Sequence, residues 1–207
     1  MARRRKKDRD DDVESDLTPE PVGVRHQGPW DSTERSAEDG GYIDLGSLLI
    51  RGDEGFALQL PADNDEGDIG SVVLVAEGSA LELRAFAATR SGGLWEEVRA
   101  DIAAEVARLG GESSEADGPY GSELTVSVPA EGPDGESSMQ SSRILGIEGP
   151  RWMLRATLLG EAAVTEDATL MAALRDVIVA RGAEPRIQRE PLLLTIPPDA
   201  IAAPDED

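Results

Sequence analysis

The chain has 207 residues, 39% of them hydrophobic, and a formal net charge of −22 from 42 acidic and 20 basic side chains. That charge argues against nucleic acid or an anionic membrane as a partner of the folded part and points to solubility or a basic protein partner. There is no cysteine, the one histidine is His26, and lysine occurs only at Lys6 and Lys7. This excludes disulfides, thiolate nucleophiles, His- or Cys-based zinc sites, Ser–His–Asp triads, and Schiff-base or P-loop lysines in the core.

Residues 1–41 read as a disordered charged tail. They open with Arg3, Arg4, Arg5, Lys6 and Lys7, pass through Asp8, Asp10, Asp11 and Asp12, and bury too little apolar surface to offset chain entropy. The basic pentad offers weak nucleic-acid contact, partly cancelled by the aspartates beside it. Trp30 falls in this stretch as an isolated aromatic. Tyr42–Ile50 and Phe56–Leu60 read as a hairpin, ended by Pro61.

Ala62–Gly70 is a polar loop carrying Asp63, Asp65, Glu66 and Asp68. As an EF-hand it fails, because Gly67, Asp68 and Leu74 stand where ligand, glycine and glutamate are required. Asp63, Asp65 and Asp68 remain as weak candidates for a divalent ion. No cofactor is implied. Ser71–Ala76 is a strand without alternation, so both its faces need cover, and Leu81–Ala88 is a second strand.

Leu94, Val98, Ile102, Val106 and Leu109 repeat at helical spacing, which predicts a helix over 92–109 with Ser91 as N-cap and Gly110–Gly111 at its end. Glu123–Val128 is a strand, and Ala130–Ser142 reads as a linker. Arg143–Ile147 and Trp152–Leu159 are strands, a helix capped by Thr165 or Thr169 runs to Arg181, and Pro191–Ile196 closes the pattern. Residues 198–207 read as a flexible tail.

The second half echoes the first at an offset near 70 residues, matching VLVAEG at Val73 with ILGIEG at Ile144, and Leu83–Arg84–Ala85 with Leu154–Arg155–Ala156. This predicts an α+β fold of two pseudo-symmetric ββαβ repeats (71–129 and 143–197) plus the N-terminal hairpin, within one domain at 42–197. The sheet is mainly antiparallel, with both helices on one face. Arg84, Phe86, Met153 and Arg155 then lie on the helix-free face as a partly apolar interaction surface.

Function read this way is a non-enzymatic interaction or adaptor module, chaperone-like in one form, that binds a protein partner or a second copy of itself. The alternatives are a metal-assisted enzyme using only carboxylates and arginines, and weak nucleic-acid binding through Arg3–Lys7. No apolar run is long enough for a membrane span and no secretory signal opens the chain, so a soluble cytoplasmic protein is expected.

The order YIDLGSLLI, FALQLP, VVLVAEGSALELRAFAATRSGGLWEEVRADIA and RILGIEGPRWMLRATLLG resembles a family of uncharacterised actinobacterial proteins grouped as a domain of unknown function. The LWEEVR and GPRWMLR stretches are its most specific parts. The resemblance implies an acidic, variable N-terminus before an ordered core at Tyr42–Pro197, and it carries no catalytic residues across. The strand-and-helix order is also similar to small secretion-chaperone folds, an analogy of fold alone.

Overall fold

A computed structural model describes residues 25, 27–38, 40–64, 67–131 and 137–197. The fold is α+β. A seven-stranded antiparallel sheet runs in the order β4 (Ala57–Gln59), β5 (Val72–Ala76), β6 (Ser79–Ala87), β10 (Trp152–Gly160), β9 (Ser137–Gly149), β8 (Gly121–Glu131), β7 (Glu112–Gly118). A four-stranded sheet has the order β1 (Trp30–Asp31), β11 (Ile178–Val179), β3 (Leu48–Arg51), β2 (Tyr42–Asp44), with β1 and β11 parallel. The two helices are α1 (Leu94–Arg108) and α2 (Ala168–Asp176).

The large sheet is apolar on both faces. On one, Leu81, Leu83, Ala85, Leu154, Ala156 and Leu158 pack with Leu170, Met171 and Leu174 of α2 and with Leu48 and Ile50 of the small sheet. On the other, Leu124, Val126, Ile144 and Met153 pack with Leu94, Trp95 and Val106 of α1. Strand side chains alternate, so Met153 and Leu154 point to opposite sides. The helices therefore cover opposite faces, and the expectation of both on one face is corrected. Its premise was symmetry between the halves, whereas β8 carries a second apolar stripe that needs a helix of its own.

The repeat does not extend through the topology. The β5–β6 and β9–β10 hairpins do meet side by side, with Arg84 opposite Arg155. After α1, however, the chain adds β7 and β8 to the same sheet, while after α2 it crosses to the small sheet as β11. The apolar run Val177–Ile178–Val179 continues the helical spacing of α2, yet two of these β-branched residues pair as strand. The helix consequently ends at Asp176 and not at Arg181.

Other boundaries move as well. Order begins before Tyr42, because Trp30–Asp31 is a strand and Asp31 is buried. The predicted N-terminal hairpin is divided, with β2–β3 in the small sheet and β4 on the edge of the large one. Much of the predicted 130–142 linker is the paired ends of β8 and β9, from Pro129↔Met139 to Glu131↔Ser137. Its serines carry no hydrophobic alternation, since both faces there are largely open and backbone bonds alone hold the ribbon. Pro191–Ile196 is not a strand but an extended strap, with isolated bridges from Pro191 to Phe86 and from Leu194 to Ile69. The basic pentad at Arg3–Lys7 and the 198–207 tail lie outside the described residues.

Candidate functional site

The antiparallel register of β6 and β10 sets Arg155 opposite Arg84, Met153 opposite Phe86, and Thr157 opposite Glu82, all on the α1 side of the sheet. The four residues predicted as an interaction surface are thus brought together, on a face that is not helix-free. Met153 is fully buried beneath α1, and Phe86 is half-buried beside it. Of the apolar pair in the predicted surface, Met153 is core and Phe86 packs against it, partly exposed.

The arginines are matched by carboxylates. Arg84 donates from both terminal nitrogens to Asp63, at 2.8 and 2.7 Å, and from Nη2 to Ser71 Oγ at 3.3 Å. Glu82 lies 3.6 Å from Arg84 Nε and 3.8 Å from Arg155 Nη2. The Arg155 guanidinium sits 5.8 Å from the centre of the Phe86 ring. Burial pulls the Arg155 guanidinium below its ordinary proton affinity, opposed by Glu82 and helped by Arg84. Two cations and two anions leave the cluster neutral overall.

Asp63, read from sequence as a metal candidate, belongs to this cluster. Its loop turns back on itself through Asp63 N–H to the Asp68 carbonyl at 2.7 Å, Asp68 N–H to Asn64 Oδ1 at 3.1 Å, and Asn64 Nδ2 to Asp68 Oδ2 at 3.0 Å. Gly70 makes the approach possible, because a Cβ there would stand 2.2 Å from Asp63 Oδ2. Asp68 closes its own loop, and Asp65 lies outside the described residues. Among the described residues no three His, Cys, Asp or Glu side chains converge to hold a metal ion. Chemically the arrangement clamps the chain at Asp63 to the sheet.

A family model described as a protein of unknown function, DUF3710, matches residues 28–203. The chain belongs to the DUF3710 family. The match begins before Tyr42 and takes in β1, in agreement with the buried position of Asp31 in this DUF3710 fold. None of the curated proteins compared with the chain matches it. Among the described residues no helix is long and apolar enough to cross a membrane.

Sequence reasoning missed β7. Glu112–Gly118 reads ESSEADG, with no alternation and no β-branched residue, and six of its seven positions are exposed. It nevertheless pairs with β8 along its whole length, from Glu112↔Ser127 to Gly118↔Gly121. Such a strand is held by backbone ladder bonds and gives no signal in side-chain pattern.

Proposed function

We propose that this protein is a non-enzymatic interaction module that receives an extended, basic segment of a partner along β7. The observation that carries the reading is the edge itself. β7 ends the large sheet, and among the described residues its backbone bonds to no strand but β8. An edge strand presents unpaired N–H and C=O groups to any extended segment that reaches it. Glu112, Glu115 and Asp117 line this edge, and the net charge of −22 steers cations toward the molecule. Of these carboxylates Glu115 has an ion pair, with Arg99 Nε at 3.2 Å, and stays about half exposed. Ser113 and Ser114 are small enough to leave the backbone open. The opposite edge, β4, has only three residues. A chaperone-like role is one form of this reading, with β7 holding a client's unpaired strand.

The combined substitution Glu112→Lys, Glu115→Lys and Asp117→Lys tests it. Amide shifts in the wild type on adding a Lys/Arg-rich β-prone peptide are expected at 112–118, weaken with salt, and vanish in the triple variant. Shifts located elsewhere, or a native partner that co-purifies equally with the triple variant, overturn it. The metal-assisted alternative draws little support from Asp63, whose two oxygens are occupied by Arg84. Binding through Arg3–Lys7 rests on residues outside those described.

A further inference from the structure

The two-residue turn joining β9 to β10 is Pro150–Arg151. Proline sets the first position at a negative φ, and in a type II turn the second takes a positive one, where glycine is the usual residue. Here Arg151 takes it, at φ 63°. A bulky side chain held in the left-handed region is a strain that a glycine would remove.

Arg151 lines a cleft of about 290 Å³ with Arg181, Gly182, Ser32 and Thr33. Arg181 is only 9% exposed. Its Nε donates to the Arg151 carbonyl at 3.2 Å, and its Nη1 to the carbonyls of Gly182 at 3.1 Å and Glu184 at 2.8 Å. Nη2 makes no hydrogen bond among the described residues. Neither arginine is in an ion pair among the described residues, in a chain with 42 acids to 20 bases. Asp31 also borders the cleft, and its carboxylate accepts from Trp152 Nε1 in the core at 2.7 Å and from the cleft-lining Thr33 N–H and hydroxyl at 2.9 and 2.6 Å. The Ser32 hydroxyl has no bond among the described residues. Burial, with Arg151 and Arg186 nearby, lowers the proton affinity of Arg181, and Glu190 opposes them. Arg186 and Glu190 pair with each other at 2.9 Å, so the charged side chains that line the cleft are Arg151, Arg181 and Asp31.

We propose that this cleft binds a phosphate group between the Arg151 and Arg181 guanidiniums. Two cations line the cleft against one carboxylate, that of Asp31, which three donors already hold; this suits a phosphate anion, whereas a carboxylate ligand is satisfied by one guanidinium fork. The volume admits a phosphate carrying a small substituent. The negative field of the whole chain disfavours a polyanion.

The test is Arg151→Gly, which removes the cation and relaxes the turn. Inorganic phosphate and phenyl phosphate are titrated by calorimetry, and Tm is measured without ligand. The expected result is saturable binding to the wild type, weakened about tenfold or more in Arg151→Gly, with Tm unchanged or raised. Tighter binding of phenyl phosphate assigns the site to a phosphate ester, and equal binding assigns it to free phosphate. If Arg151→Gly lowers Tm, Arg151→Lys decides, since it keeps the charge and loses the fork. Weaker binding in that variant at unchanged Tm supports the site. No saturable binding to the wild type, or equal affinity in the variants, overturns it.

Discussion

The indole N–H of Trp152 donates to Asp31 Oδ2 at 2.7 Å, and both residues are buried. Removing the acceptor leaves a buried donor without a partner, so Asp31→Ala is expected to cost about 1–3 kcal/mol in urea unfolding. Asp31→Asn, which keeps an acceptor, recovers part of it. At Gly146 the constraint is steric. A Cβ there would stand 1.9 Å from the Trp95 ring, so Gly146→Ala is expected to destabilise by about 1–3 kcal/mol through displacement of α1. Neither pair was legible in the sequence. Asp31 sits among charged residues typical of a tail, and Gly146 stands where its counterpart is an ordinary strand valine. Glu34 adds a pH dependence. Its bidentate hydrogen bond with Arg25 holds its carboxyl below the ordinary 4.5, against opposing burial. A depressed carboxylate stabilises the fold above its unfolded value and loses that contribution as pH falls through the folded one. Stability should therefore fall on acidification below pH 4.5, and the slope should be shallower in Glu34→Gln, measured by denaturant midpoints across pH.

Among elements, α1 was the most legible. Its apolar stripe and glycine terminus predict it to within two residues at each end. Gly110, at φ 76°, donates to the Ala107 carbonyl and Gly111 to that of Val106, which closes the last turn. Gly110→Ala should cost about 1 kcal/mol. What caps the start of α1 was not legible. Ser91 does not cap it. Glu148, more than fifty residues away, accepts from Gly93 N–H at 3.1 Å and from Trp95 N–H at 3.2 Å. Glu148→Ala is thus expected to lower stability by about 1 kcal/mol, with the loss of exchange protection concentrated in the first turn of α1. In α2 the cap is Asp167, which accepts from Thr169 and Leu170 N–H, both at 3.0 Å, and neither of the threonines expected in that role.

At the scale of the molecule, residues 27–38 are structural. Trp30 N–H bonds the Val177 carbonyl at 2.8 Å, Ser32 N–H bonds that of Val179 at 3.0 Å, and Arg35 pairs with Asp176 at 2.7 Å. Deleting residues 27–38 together with what precedes them should abolish cooperative thermal unfolding, read by calorimetry. The arginine cluster follows the same logic. Arg84 and Arg155 were legible as equivalent positions of two hairpins, while their carboxylate partners were not, because Asp63 arrives from a loop that no periodicity orients.

Sequence alone determined the α+β class, the two hairpins whose strands carry Arg84 and Arg155, the existence of both helices and the negative charge. Each of these depends on spacing or composition within a short window. Only the tertiary structure decided that the helices lie on opposite faces, that Asp31 is core, that β7 is an edge, and that Arg151 and Arg181 share a cleft. Those outcomes depend on which distant segments compete for one apolar face or one backbone edge, and local patterns do not encode that competition.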